Sequence, residues 1–181
     1  MPRADLVLLH APSVYDFRNE SILYGPVSDL VPSTPVFEMY PIGLTTIAEY
    51  LERSGFRVRI INLAVRMLNS DRFDAEKLIR KLKPAAFGID LHWMPHAHGA
   101  IEVARLCKKH HPDIPVMFGG FSSSYYHEEL VRRPEVDYVV RGDSTEVPVL
   151  NLMQHLTGRP EAPSLPDIPN LTWQEPNGAV R

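Results

Sequence analysis

Cysteine is almost absent. The 181 residues contain one, Cys107, which excludes an internal disulfide framework and a cage of cysteines around a metal. Long apolar runs are also lacking: none reaches membrane-spanning length, and the apolar core of "MPRADLVLLHAPS" is too short for a signal peptide. There is no basic excess. Lys and Arg number 19 against 22 Asp and Glu, a formal charge of −3, without the clustered positive face of a nucleic-acid binder. No G-x-S-x-G elbow, no Walker-type loop with its lysine, and no G-x-G-x-x-G after the first strand is present. Those gaps set aside nucleophile-elbow hydrolysis, P-loop phosphate binding and ordinary NAD binding. What remains is a globular, cytoplasmic, single-domain expectation, with 44% hydrophobic and 23% charged residues.

Proline, by contrast, is plentiful: 17 residues, crowded into 26–41 and 159–176, predict a long first loop and a linker-like tail. Between them the chain alternates. "DLVLLHA" (5–11), "RVRIINL" (57–63), "AAFGIDL" (85–91), "IPVMFGG" and "VDYVVRG" read as short buried strands. Leu44, Ile47, Ala48 and Leu51 mark one helical face after Pro41, and Gly55 closes that helix. Ala75, Leu78, Ile79 and Leu82 repeat the spacing until Pro84. Ala100, Val103, Ala104 and Cys107 mark a further helix, with Lys108 and Lys109 in its last turn, favourable against the helix dipole. "SSYYHEELVRR" reads as a short helix, and Ser144 as the cap of a last helix through about Leu156. Five βα units in series, joined by right-handed crossovers, predict a doubly wound, flavodoxin-like or Rossmann-like α/β fold. The sheet is expected to be five-stranded and parallel, with helices on both faces. "IPNLTWQEPNGAVR" adds a strand, an Asn177-Gly178 turn and the beginning of a second strand. A chain that stops in mid-hairpin is expected to be the N-terminal piece of a longer polypeptide.

Ligands of such sheets bind beyond the carboxyl ends of the strands, near the point where strand order reverses. Loops at 11–41, 90–96, 119–124 and 142–144 fall there. In "GGFSSS" (119–124) two glycines allow close backbone approach, and the serines offer hydroxyls and helix N-terminal amides to a phosphate or amide. "RGDS" (141–144) reads as a strand-end turn at Gly142 with Ser144 as a cap, not as an integrin ligand. "GIDLHWMPHAHGA" (88–100) puts Asp90 and His92 at a strand tip, Pro95 in the first helical turn, and His96 and His98 just beyond it. Zinc would need three or four converging ligands. His92 and His96 have i, i+4 spacing, but the helix begins between them, and His96 and His98 point apart on a helix. Cys107 falls on an apolar helical face and reads as a core residue.

Taken in order, "PIGLTTIAEYLERSGFRVRIINLA", "AAFGIDL", "PDIPVMFGGFSSS" and "EVDYVVRGDSTEVPVLNLM" resemble the N-terminal cobalamin-binding domain of cobalamin-dependent radical SAM enzymes. The shared pattern is a Pro-x-Gly-Leu helix start, a strand ending in Gly-Gly, and an aspartate, apolar strand and Gly-acidic segment before the last helix. The resemblance implies a cobalamin-binding domain over 1–157. Residues 158–181 would then be a linker and the start of a hairpin leading to a C-terminal radical SAM domain, which would carry a 4Fe–4S cluster and S-adenosylmethionine. It also implies a corrin ring lying across the strand ends. Pro41, Gly43, Asp90, Leu91, His92, Arg141, Gly142 and Asp143 would line ring and tail, and the nucleotide tail would run near Gly119, Gly120, Phe121 and Ser122. The long first loop would cover the corrin or pack on the barrel. Two departures stand out. The Asp-x-His-x-x-Gly motif of methionine-synthase-type domains is absent from the first loop, which leaves His92 as the candidate axial ligand of cobalt. "GDST" stands where relatives have Gly-Glu-Gly-Glu.

On this reading the chain holds cobalamin and catalyses nothing alone, and its partners are the corrinoid and the radical SAM domain. Two alternatives stay open: a docking or regulatory α/β domain that binds no corrin, and a divalent-metal site built on His92, His96 and His98.

Overall fold

The structure is a computed structural model that describes residues 4–19 and 42–181. Its strands are β1 (Leu6–His10), β2 (Val58–Asn62), β3 (Ala86–Asp90), β4 (Val116–Gly119), β5 (Tyr138–Val140) and β6 (Leu171–Trp173). They form one sheet in the order β2-β1-β3-β4-β5-β6. The first five are parallel, and β6 runs antiparallel along β5, with Val140 opposite Leu171. The expected parallel sheet is therefore present, and it gains a sixth strand from the tail. That tail is the expected hairpin: Trp173 and Arg181 exchange backbone hydrogen bonds of 3.1 and 2.9 Å, and the turn passes through Gly178 at φ 86°.

The helices are α1 (Ile42–Arg53), α2 (Leu63–Asn69), α3 (Ala75–Ile79), α4 (Ala97–His110), α5 (Phe121–Tyr125), α6 (His127–Val131) and α7 (Glu146–Leu156). The step from β1 to β2 runs one way along the sheet, and every later crossover runs the other. Right-handed connections therefore send α1 to one face and the crossover helices after it to the opposite face. Core packing follows suit. Val7, Leu9, Phe87 and Phe118 pack with Ile79, Val103 and Leu130, whereas Leu6, Leu8, Met117 and Val140 pack with Leu44, Leu51 and Leu152. Helix α7 lies beside α1 and completes that second face.

Three local expectations change. The single helix expected over "SSYYHEELVRR" is two, because Tyr126 at φ −104°, ψ 31° leaves helical geometry. The cap position of α7 is Thr145 rather than Ser144, which is exposed one residue earlier. Helix α2, which was not expected, is capped by Asn62, whose Oδ1 accepts from Val65 N at 2.9 Å.

The beginning of the first loop is firmly placed. Gly99 of α4 lies so close to Pro12 that a β-carbon there would come within 1.7 Å of the Pro12 carbonyl oxygen. Arg18 donates through Nη1 to the carbonyls of Ser70, Asp71 and Phe73, tying the loop to the α2–α3 connection. Burial pushes the Tyr15 phenol up to about 12, with the Asp16 charge adding to the shift. Residues 20–41 of that loop, and the covering role expected of them, lie outside the described residues.

Candidate functional site

Period-2 alternation puts two rows of residues on the α1/α7 face near the strand tips. The lower row, Leu8, Gly88 and Met117, is apolar. The row above it ends the strands with His10, Asp90, Gly119 and Val140. Helices α1 and α7 both begin at this edge, and where their first turns stand apart the sheet is left uncovered. The result is a cavity of about 440 Å³, floored by the lower row and walled by Leu44, Ile47 and Val149. It lies beside the β1/β3 switch point, where such sheets hold ligands. Around its mouth stand apolar side chains that water would not ordinarily be given: Ile42 is 72% exposed, Phe121 66% and Trp93 38%, and Met94, next to Trp93 in the chain, is 51% exposed.

The β1–β3 register sets His10 beside Asp90, and His10 Nδ1 lies 2.9 Å from each carboxylate oxygen. An ionised carboxylate only accepts, so Nδ1 carries the hydrogen of this bond. His10 is buried, and the His96 ring meets it edge-on at 5.6 Å between centroids. This pair went unnoticed in the sequence because its members lie eighty positions apart in the chain. The available signal was a polar residue ending an otherwise apolar strand. His96, placed by the sequence just beyond the first helical turn, is buried. His92 is exposed at the mouth beside Trp93 and Phe121, and His98 Nδ1 accepts from the Tyr15 amide at 3.3 Å. His92 and His96 both line the cavity, one exposed at its mouth and one buried, whereas His98 is not among the lining residues. Among the described residues no group of three or more His, Cys, Asp or Glu is placed to hold a metal ion, and the divalent-metal reading falls.

Of the expected ligand contacts, Gly43, Asp90, His92, Gly119, Gly120, Phe121, Gly142 and Asp143 line the cavity. Leu91 does not; it is buried in the opposite core. Arg141 also lies outside the lining, with its amide bonded to the Asn170 carbonyl at 2.8 Å and its Nε buried without a hydrogen-bond partner among the described residues. Pro41 is outside the described residues.

The serine run is bonded within the fold. The amides of Ser122 and Ser123 donate to the carbonyls of His92 and Leu91. Their hydroxyls donate to His92 O and Gly119 O at 3.0 Å, and that of Ser124 to Gly120 O at 2.9 Å. Gly120, at φ 108°, ψ 175°, lies in backbone space open essentially to glycine alone, and a β-carbon there would meet the Leu91–His92 peptide at 2.9 Å. Gly119 is the open position: its β-carbon would have nothing nearer than Val140 O at 3.9 Å.

Charge in the cavity has one sign. Asp90, Asp143 and Glu146 contribute carboxylates, and no lysine or arginine is among the described lining residues. Cys107 takes no part in the cavity: the residue is fully buried on α4, and burial pushes its thiol pKa far up. This arrangement belongs to a ligand-holding α/β module, with a recess for an apolar group and an apolar rim for a larger one.

The B12 binding domain profile matches residues 29–150, and the chain belongs to that family. Among curated proteins it is 27% identical over 146 residues to the hopanoid C-3 methylase of Methylococcus capsulatus, covering 79% of this chain and 27% of that protein. It is 25% identical over 185 residues to the cytidylyl-2-hydroxyethylphosphonate methyltransferase of Streptomyces wedmorensis, covering 91% and 34%. The chain therefore spans only about a quarter to a third of these relatives' length. Its fold is that of part of the radical S-adenosylmethionine methyltransferase TsrM from Kitasatospora setae, solved with cobalamin and a 4Fe–4S cluster bound (TM-score 0.69, 21% identity, 98% of this chain and 30% of that one). The cobalamin-dependent S-adenosylmethionine radical enzyme OxsB, solved with aqua-cobalamin, shares it as well (TM-score 0.68, 14% identity, 99% and 22%). Among the described residues no helix is long and apolar enough to cross a membrane.

Proposed function

We propose that this chain is the cobalamin-holding module of a larger radical SAM enzyme that transfers methyl groups or performs other cobalamin-assisted radical chemistry. The observation that carries the reading is the glycine-edged cavity at the strand tips with its exposed apolar rim. The residues present suit the ligand. A 440 Å³ recess is at the small end of pockets that enclose a drug-sized molecule, so it has room for the nucleotide base and none for the corrin. The corrin would rest outside, against Ile42, Trp93, Met94 and Phe121. Gly43 and Gly119, whose side-chain space is open, permit its close approach. His92, on that rim, is the candidate ligand to cobalt, and His10 with Asp90 forms the polar part of the wall. When bound, cobalamin supplies a cobalt centre able to carry a methyl group, and the chain contributes position and environment. The iron–sulfur cluster and S-adenosylmethionine would be held by a C-terminal radical SAM domain, the second partner in the reading.

The test is direct. After incubation with hydroxocobalamin and desalting, the chain is expected to keep corrin absorbance near one equivalent, and His92→Ala is expected to shift the visible spectrum of the bound corrinoid. A colourless protein would remove cobalamin binding by this chain and favour a docking role.

A further inference from the structure

We infer that Arg141 forms a carboxylate-binding site of its own, on the far side of the sheet from the cavity. The inference stands apart from the cobalamin reading and does not need it.

Three observations carry it. First, the arginine is held without a partner. Successive strand residues face opposite sides of a sheet. Val140 lines the cavity and Val139 packs in the opposite core, so Arg141 leaves the sheet on the side of Val139. It is half-buried, and its Nε is buried without a hydrogen-bond partner. It enters none of the arginine ion pairs among the described residues. Half-buried arginines elsewhere are spent: Arg18 pairs with Asp16, and Arg159 donates to Ser54 O at 3.2 Å and covers the Phe56 ring. A guanidinium N–H shielded from water is costly unless an acceptor reaches it.

Second, rare backbone converges on this corner. Gly142 holds φ 106° and Asn170, at the start of β6, holds φ 58°, the one positive value at a non-glycine among the described residues. The Arg141 amide joins the two by donating to Asn170 O at 2.8 Å. Backbone in such conformations persists where its surroundings over-determine it, and it gathers at ligand clamps. Third, another donor stands beside the arginine. A β-carbon on Gly142 would come within 3.7 Å of Asn170 Nδ2, so this exposed amide lies over the same turn.

A guanidinium fork with a carboxamide NH2 next to it offers donors to two oxygens, which suits a carboxylate. Asp143 and Glu146 follow closely in the chain, so a doubly charged phosphate is repelled more than a singly charged acid. An acidic side chain of a docking protein and a free organic acid share this chemistry.

The experiment follows the side-chain N–H resonance of Arg141 Nε, assigned by its loss in Arg141→Lys, which keeps the charge. Acetate is titrated against chloride at equal ionic strength, and a saturable shift with a midpoint roughly in the millimolar range is expected. No shift with acetate, or the same shift with chloride, overturns the site. Inorganic phosphate binding more tightly than acetate overturns the carboxylate assignment. The peptide acetyl-Leu-Asp-Leu-amide, whose single charge is a side-chain carboxylate, separates the sources. Tighter binding than acetate assigns a docking chain, binding no tighter a free acid, and both uphold the site. Loading with hydroxocobalamin is expected to leave the acetate response in place. A blocked response puts the corner under the cofactor and overturns its separateness, whereas a chain that retains no corrinoid leaves the acetate result untouched. Arg141→Met replaces the cation with an apolar stem, and its urea midpoint in chloride is expected to stay at or above that of the unaltered chain. A clear fall, or failure to fold, means that Arg141 is spent on the fold and counts against the site. The acetate titration of the unaltered chain then decides.

Discussion

Gly119 and Gly120 are neighbours with different duties. Both stand at the end of β4, and in the sequence both read as places for a ligand to approach. The backbone separates them: Gly119 faces open space, while Gly120 holds φ 108° against the Leu91–His92 peptide. Gly120→Ala is expected to destabilise the fold by about 1–3 kcal/mol from backbone strain alone. It should also loosen the β3–α4 loop that carries His92. Urea unfolding of the variant measures the first effect; an unchanged midpoint would mean that this backbone is not held as described. Residue types and strand ends were legible here because they obey local rules. Which residue meets which across the sheet was not. His10 and Asp90 become a pair only through the β1–β3 register, and His96 joins them only because a 3-10 turn at Met94–His96 folds it back under the strand tips. Three histidines close together in sequence suggested a cluster, whereas the geometry dispersed them and recruited a fourth from a distant strand.

At the scale of elements, the strands and the three long helices were readable because each has enough turns or alternations to show its period. Helix α2 has seven residues and follows β2 without a break, and its first residue, Leu63, also ends the apolar run "RVRIINL", so no separate period shows. The segment after β1 had no period at all. Its order comes from particular bonds, chiefly those of Arg18 and Asp16. Asp16 accepts from the Arg18 amide at 3.0 Å and from its guanidinium at 2.6 and 2.9 Å, which holds the carboxyl below the usual carboxylate range. Because the folded-state pKa is depressed, the stabilisation is fully present above the unfolded value of about 3.9 and is lost as pH falls below it toward the folded pKa. Asp16→Asn should therefore lower the urea midpoint at pH 7 and differ much less from the unaltered chain near pH 3. An equal gap at both pH values would show that the carboxylate charge is not what anchors the loop.

For the molecule as a whole, the question is where its stable unit ends. The proline-rich tail suggested a boundary near residue 157, with the hairpin belonging to whatever follows. The contacts put the hairpin in the sheet. Ile168 and Leu171 are 3% and 4% exposed in the same core as Leu152, Val149 and Val140. Strand β6 also covers the edge of β5, which would otherwise present unpaired backbone groups to other molecules. Burying two such side chains contributes about 3–6 kcal/mol by area, a large part of the roughly 5–15 kcal/mol that holds a domain together. Cutting after residue 157 should therefore lower the thermal midpoint by on the order of 10 °C for a domain of this size. It should also make the protein prone to concentration-dependent association through the bared β5 edge. Cobalamin retention gives the complementary reading, since the cavity is floored by β1, β3, β4 and β5 and needs α7 pressed onto β5 to keep Glu146 and Val149 in its wall. A fragment of residues 1–157 that melts within a degree or two of the full chain and keeps the corrinoid as well would place the structural boundary before the hairpin. A fragment that loses both stability and ligand would make β6 a working part of the cobalamin module, with any following domain joined to it through the sheet itself.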